Sequence, residues 1–295
     1  MSASGEDLAG RLRAHVETLA GTIGERNVFR PEALAAARDY IEATWRGQGY
    51  EVDAQEYEAR GVVCANLEVS RTGAGRADEI ILLGAHYDSV RACPGANDNG
   101  SGVAALLEIA RRFAVLSPAL TIRFVAFVNE EPPFFMTRRQ GSAVYAKAAR
   151  ARGDDVRLMV SLETLGYYND APGSQRYPPL FRFFYPDRGD FLGLVSDLRS
   201  RRLMRRVAKV FRDRSDFPLQ HTASWRWVPG VAWSDHLQFW RQGYPALMAT
   251  DTAFYRYRHY HTAQDTPDKL TYPAFGRATE ALSRCFAALA EHGLD

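Results

Sequence analysis

One histidine and two aspartates lie between an apolar run and a predicted helix in the first third of the chain. His86 and Asp88 follow the apolar residues 80–83, and Asp98 lies in a Pro-, Gly- and Asn-rich turn before the helix predicted for 103–112. In an extended chain, residues two positions apart share a face, so Asp88 can hold the His86 imidazole in one tautomer. These residues predict a metal site, and on this stretch alone an ordinary loop with a helix cap is an equal alternative.

Two further strand ends carry carboxylates. Glu130 and Glu131 follow the β-rich run 120–128, and Glu163 ends the apolar run 156–163. Ligands of open α/β sheets bind beyond the carboxyl ends of the strands, so we expect these side chains to meet at one sheet edge. Zinc readily takes imidazole nitrogen and carboxylate oxygen. A pair of ions that shares a carboxylate could activate a bridging water, with one of the adjacent glutamates as ligand and the other as general base.

The remaining patterns predict the elements that position these residues. Helical periodicity is predicted for 6–20, 31–46, 141–150, 189–214 and 272–292, and extended structure for 50–57, 62–70, 180–186 and 244–250. The first two extended runs are expected to form a hairpin, and a short strand is expected among Trp225, Trp227 and Trp233. The alternation predicts a single α/β domain over residues 1–295, with a mixed, largely parallel central sheet and helices on both faces.

The composition limits which classes of protein and of binding partner we expect. With 295 residues, 46% of them hydrophobic, the chain can bury one large core. The 37 basic and 35 acidic residues give a net charge of +2, so we expect neither a nucleic-acid nor a membrane partner. Cys64, Cys93 and Cys285 are widely spaced, which predicts free thiols. The N-terminal residues lack the apolar core of a signal peptide, so a cytoplasmic location is expected.

Five stretches together resemble the M28 family of zinc peptidases, and they cover nearly the whole chain. They read GAHYDSV from residue 84, PGANDNGSGVAALLE from 94, NEE from 129, SDHLQFW from 234 and HYHTAQDTPDKL from 259. The resemblance implies that one zinc ion is held by His86, Asp98 and Glu163, and a second by Asp98, Glu131 and His261. Glu130 would be the general base, and Asp88 would be the partner of His86. The resemblance thus implies a catalytic role for both residues.

Some details of this resemblance concern single positions. Glu163 stands where many members of the family have aspartate, and its longer side chain keeps the same ligand type. His236 and His259 are alternatives to His261, which the resemblance favours because Thr262 and Asp265 follow it. The resemblance also implies a cis peptide bond between Asp98 and Asn99.

The activity implied is that of an aminopeptidase, which releases the N-terminal residue of a peptide with a free amino terminus. Two alternatives belong to other classes: a glutaminyl-cyclase-like acyltransferase with a single zinc, and a catalytically silent peptide-binding module. Metal stoichiometry separates the first from the aminopeptidase, and the intact set of site residues argues against the second. The aromatic-rich residues 167–235 are expected to form a lid or specificity pocket, whose preferred side chain the spacing does not identify.

Overall fold

The computed structural model describes residues 3–179 and 181–294, and within them the chain forms one eight-stranded sheet flanked by seven α-helices. The strands are β1 (Asp53–Ala59), β2 (Val62–Arg71), β3 (Arg76–His86), β4 (Leu120–Phe127), β5 (Asp155–Glu163), β6 (Leu192–Asp197), β7 (Leu219–Ser224) and β8 (Ala246–Thr250). The α-helices are α1 (Ala3–Val16), α2 (Pro31–Gly47), α3 (Gly102–Phe113), α4 (Gly141–Arg152), α5 (Arg201–Arg214), α6 (His236–Arg241) and α7 (Tyr272–His292).

The sheet is mixed, and its centre is parallel. The strand order is β1-β2-β4-β3-β5-β8-β6-β7. The neighbours β4, β3, β5 and β8 run parallel, as do β6 and β7, whereas β1–β2, β2–β4 and β6–β8 are antiparallel. The β1–β2 pair is the predicted hairpin. The predicted mixed, largely parallel sheet is therefore confirmed, and the carboxyl ends of its four central strands lie at one edge.

Helices cover both faces of the sheet, as predicted. One apolar core joins β-strand side chains to α1, α2, α3, α5 and α7, and the other joins them to α4 and α6. In β3, Ile81 and Leu83 belong to the first core while Ile80 and Leu82 belong to the second. A central strand buried on both faces therefore explains why residues 80–83 are continuously apolar.

Residues 180–197 differ from the sequence prediction. Leu180, the first residue of the predicted strand 180–186, lies outside the described residues, and Phe181–Phe183 is a 3₁₀ turn. Prolines at 178, 179 and 186 remove backbone donors that a strand ladder requires. The predicted helix 189–214 is wrong over its first half, where β6 pairs with β8 and β7. Helical structure begins only at Arg201, because the buried run Leu192–Asp197 is recruited into the sheet.

Two other predictions are corrected or refined. The short strand predicted among the tryptophans is wrong, because β7 ends at Ser224 and residues 225–233 form turns. The predicted helix 6–20 is α1 followed by a wider, π-helical segment at Glu17–Ile23.

Cys64, Cys93 and Cys285 are buried free thiols. Among the described residues, we find no helix with the length and apolar character needed to cross a membrane.

Candidate metal centre

The predicted site residues converge at the carboxyl edge of the central strands. His86 is the last residue of β3 and Glu163 the last of β5, while Glu130 and Glu131 follow β4. Asp98 lies in the turn Ala96–Ser101 that leads into α3, and His261 lies in the loop between β8 and α7. Because β4, β3 and β5 are parallel neighbours, side chains far apart in sequence end at the same edge.

Asp98 lies between the two histidines. Its Oδ1 is 3.3 Å from His86 Nε2, and its Oδ2 is 3.0 Å from His261 Nε2. Glu163 Oε2 lies 3.4 Å from the same His86 nitrogen, and Glu131 Oε1 lies 3.2 Å from the His261 nitrogen. Two groups of three ligand atoms result, each with all atoms within 4.8 Å of one another, and Asp98 belongs to both.

Glu130 lies beside these two groups. Its Oε2 is 4.0 Å from His86 Nε2, which is longer than the contacts of Asp98 and Glu163 to that nitrogen. A third group of ligand atoms, from His86, Glu130 and Glu131, also falls within 4.8 Å. We favour the two groups that share Asp98, because their contacts are shorter. Glu130 Oε1 is buried without a hydrogen-bond partner, so it is free to accept a proton.

Asp88 positions the ends of β3 and β4, and its contact with His86 differs in part from the one expected from the sequence. Its main-chain carbonyl accepts a hydrogen bond from His86 Nδ1 at 3.1 Å, and its carboxylate lies further away, at 3.5 Å. Since a carbonyl only accepts, Nδ1 carries the proton and the Nε2 lone pair faces the site. The Asp88 carboxylate accepts the backbone N–H groups of Glu130 at 3.0 Å and Glu131 at 3.1 Å.

Asp265 holds the turn that carries Asp98. Its carboxylate accepts the backbone N–H groups of Asn97 at 2.8 Å and Asp98 at 3.1 Å, and the Tyr257 hydroxyl at 2.9 Å. The peptide bond between Asp98 and Asn99 is cis, as the resemblance implied. The sequence motif contained Asp265 but did not reveal this contact across 167 residues.

Sequence reasoning missed two further contacts of the ligand side chains. The Ser234 hydroxyl donates to Glu163 Oε2 at 2.8 Å, and the Tyr260 ring stacks on His261 with centroids 3.9 Å apart. Both residues lie inside the quoted motifs, which is the only signal that could have suggested them. His236 and His259 belong to neither of the groups that share Asp98. His236 Nε2 instead donates to the Val231 carbonyl at 2.8 Å.

The electrostatics of the site favour a bound cation. Burial raises the pKa of Glu131 and of Glu163 to about 7, and the Asp98 charge adds to both increases. Burial also raises the pKa of Glu130 well above its ordinary value. For His261, burial lowers the pKa, but hydrogen bonds to Asp98 and Glu131 outweigh it and raise the pKa to about 10. A divalent cation would offset this crowding of carboxylates and displace the protons.

These donors fit zinc. The two groups offer imidazole nitrogens and carboxylate oxygens, which are the ligand types of catalytic zinc sites. Among the described residues, Glu131 Oε1 is buried with only His261 Nε2 beside it, at 3.2 Å, and the buried Glu130 Oε1 has no hydrogen-bond partner, so a cation at this site would meet acceptors that the protein leaves unsatisfied. The protonated Nδ1 of His86 leaves the other ring nitrogen free to bind metal.

A pocket rich in aromatic side chains opens beside the centre. Its empty space is about 850 Å³, part of which is open to solvent, and Glu163 and Tyr260 form its border with the metal centre. Its wall includes the rings of Phe181, Tyr185, Phe191, Trp233, Phe254 and Tyr255. Much of this wall comes from residues 167–235, which also supply β6, α5 and β7.

Comparison with known sequences identifies relatives. The family model described as peptidase family M28 matches residues 66–285. The protein named "Uncharacterized protein YfbL" from Escherichia coli K12 is 36% identical over an alignment of 282 positions, which covers 92% of this chain and 85% of that protein. Leucine aminopeptidase 1 of Ajellomyces dermatitidis is 28% identical over 223 residues, covering 70% of this chain. The match spans about half (51%) of the fungal protein.

Comparison with solved structures identifies the fold. BSAP, a zinc aminopeptidase from Bacillus subtilis, superimposes with a TM-score of 0.75 at 14% identity, covering 96% of this chain and 95% of that one. The glutaminyl cyclase of Bacteroides thetaiotaomicron superimposes with a TM-score of 0.68 at 18% identity, covering 96% and 97%. At these identities the likeness concerns the fold, which both proteins share with this chain.

Proposed function

This chain belongs to peptidase family M28, and on that premise we propose that it is a zinc-dependent aminopeptidase that removes N-terminal residues from peptides. One observation carries the proposal: Asp98 lies between two histidines, each of which also contacts a buried glutamate. An unpartnered carboxylate oxygen of Glu130 lies at the same edge. Ligands and a separate acid–base group are the parts that metal-assisted hydrolysis requires.

We assign two zinc ions to this centre. His86, Asp98 and Glu163 would hold one, and Asp98, Glu131 and His261 the other. Zinc, when bound, supplies Lewis acidity, which polarises a peptide carbonyl and lowers the pKa of water. The support is the shared Asp98, whose two oxygens face different histidines.

Glu130 is the proposed general base and acid. It takes a proton from the attacking water and returns it to the leaving amine, so that it is unchanged after each turnover. Burial raises its pKa, which suits a group that must hold a proton between these two steps. Asp88 orients this glutamate and its neighbour by accepting both of their backbone N–H groups.

We assign the aromatic pocket to the binding of the side chain of the substrate's N-terminal residue. Residues 167–235 form much of its wall, and we assign this segment to substrate specificity. Its many rings favour a large apolar or aromatic N-terminal residue, because apolar area is buried on binding. The carboxylates of the centre favour the positively charged amino terminus of the same residue.

Metal analysis combined with peptide cleavage tests this function. We expect two zinc ions per chain, and cleavage of peptides with free but not acetylated N-termini. Within a library, N-terminal Phe, Tyr, Trp and Leu should be preferred over Asp and Lys. One zinc ion with cyclisation of N-terminal glutamine would instead support a glutaminyl-cyclase-like acyltransferase, and binding without turnover would support a peptide-binding module.

A cytoplasmic location is part of the proposal. Its support is the presence of buried free thiols at Cys64, Cys93 and Cys285, since secreted proteins usually pair their cysteines. Fractionation of the native cells with an antibody to this chain should find it in the cytosolic fraction. Recovery in the medium or the periplasm would contradict this location.

A further inference from the structure

Arg26 is a fully buried arginine in the loop between α1 and α2, and it lies outside the residues that the family model matches. Its guanidinium donates hydrogen bonds to five main-chain carbonyls. The acceptors are the carbonyl oxygens of Leu19, Gly24, Tyr87, Pro94 and Gly95. Arginines are rarely buried, so such a set of partners needs a reason.

Three of these carbonyls belong to residues 87–95, which we term the ligand loop because it joins His86 to the turn of Asp98. Arg26 Nε lies 2.6 Å from the carbonyl oxygen of Tyr87, and Nη2 lies 2.9 Å from that of Gly95. The first acceptor follows His86 directly, and the second precedes Asp98 by three residues. A single planar group therefore ties together the two ends of the ligand loop.

The main chain of Arg26 adds to this attachment. Its N–H donates to Ser89 Oγ at 3.1 Å, and its carbonyl accepts the Ser89 N–H at 2.9 Å. The neighbouring Asn27 side chain donates to the Ser89 carbonyl at 3.0 Å. The loop between α1 and α2 is thus joined to the middle of the ligand loop as well as to its ends.

The charge of Arg26 acts on the same residues. Burial lowers its pKa, while the carboxylates of Asp88, Asp265 and Asp98 act in the opposite direction. An arginine stays protonated in proteins, so the guanidinium places a permanent positive charge near these acids. The carboxylates at the centre repel one another, which makes it unfavourable to hold them close together. The charge of Arg26 reduces this repulsion.

We propose that Arg26 is a positioning residue for the metal centre, which holds the ligand loop so that His86 and Asp98 are already in place when zinc binds. The inference rests on the proposed zinc site. Lysine cannot replace this function fully, because an ammonium group has three donors and lacks the planar fork that reaches carbonyls on several sides. The part of the chain before residue 66 therefore contributes to the centre that the matched residues form.

The test compares Arg26→Met and Arg26→Lys with the matched control Arg123→Met. Arg123 is a partly buried arginine, whose ion-pair partners are Glu68 and Asp154 rather than site residues. Zinc affinity is measured by competition with a chelator, and ligand geometry by the visible absorption of the cobalt-substituted protein. We expect Arg26→Met to weaken zinc binding by about 10- to 100-fold and to change the cobalt spectrum.

Arg26→Lys should recover part of the affinity, and Arg123→Met should lower stability without changing either readout. Wild-type zinc affinity and an unchanged cobalt spectrum in Arg26→Met would overturn the inference. If the Arg26 variants do not fold, amide exchange of the metal-free wild-type protein decides. Slow exchange at Ser89 and Gly100 would support the inference, and exchange as fast as in a free peptide would overturn it. A wild-type protein that binds no zinc would contradict the proposed function instead.

Discussion

Two buried carboxylate clusters in this molecule have opposite electrostatics. Glu108 of α3 is 4% exposed, and its carboxylate accepts hydrogen bonds from Arg11 Nε at 2.8 Å and Arg111 Nε at 3.0 Å. Burial alone would raise its pKa, but His15, Arg11 and Arg111 lower it to about 2. In the metal centre, burial raises the pKa of Glu131 and Glu163 to about 7.

The difference lies in the source of the positive charge. The positive charges beside Glu108 are side chains of the same chain, so this cluster needs no bound ion. Its ion pairs stabilise the packing of α1 on α3. The metal centre combines Asp98, Glu130, Glu131 and Glu163 with two histidines and a more distant arginine, and its carboxylates repel one another. A buried carboxylate that the chain does not supply with enough positive charge is therefore a candidate ligand for an external cation.

The largest expected effect is on turnover, in the variant Glu130→Gln. Glutamine cannot accept and return a proton, so kcat should fall by about 10² to 10⁴, the range for one positioned acid–base group. Bound zinc should stay at the wild-type level, because this residue is outside the two proposed ligand groups. Steady-state kinetics and metal analysis measure both, with Glu108→Gln as the matched control. Near-normal kcat would remove Glu130 from the assigned role.

Metal binding should fail in Asp98→Ala, because both proposed zinc ions lose a ligand. We expect affinity for zinc to fall by more than about 100-fold, beyond the effect of an outer partner of a ligand. Equilibrium dialysis against buffered zinc gives the affinity and the number of ions bound. Retention of one tightly bound ion would show that Asp98 is not shared between two sites.

Stability should change most in Glu108→Gln, with little effect on zinc. Removal of the buried charge leaves Arg11 and Arg111 with a weaker neutral acceptor, at an expected cost of about 3 kcal/mol near pH 7. Urea unfolding of the zinc-loaded wild type and variant gives the difference in the free energy of unfolding. A difference below about 0.5 kcal/mol would show that the ion pairs of Glu108 contribute little to stability.

The contribution of Glu108 should also depend on pH. Its pKa is lowered from 4.5 to about 2 on folding, so its stabilisation is present above pH 4.5 and is lost as pH falls towards 2. The difference in unfolding free energy between wild type and Glu108→Gln should therefore fall to about half by pH 3. Urea titrations at pH 6, 4 and 3 measure this trend. A difference that is constant over this range would contradict the low pKa.

The smallest expected effect concerns Ser234, whose hydroxyl donates to Glu163. In Ser234→Ala, Glu163 loses a partner but not its place at the end of β5, so zinc affinity should fall by about tenfold. Chelator competition measures the change. An unchanged zinc affinity would show that this serine does not support the metal centre. It would then differ from the arginines that support Glu108.

The types of the site residues and their places at strand ends were predictable from the sequence, because strand periodicity and short motifs are local properties. The apolar run 80–83, the Glu130–Glu131 pair and Glu163 indicated three strand ends, and parallel strands bring such ends to one edge. The mixed sheet and the helices on both faces followed from the same alternation of elements.

Only the tertiary structure placed Arg26 against the ligand loop, and Asp265 and Ser234 against ligand residues, since the hydrogen bonds that do so join groups separated by 61 to 167 residues. It also decided that residues 192–197 form a strand rather than a helix, through pairing with β8 and β7. The physical reason is the same in both cases. A hydrogen bond or a strand pairing depends on which distant group is nearby after folding, and local periodicity carries no record of that partner.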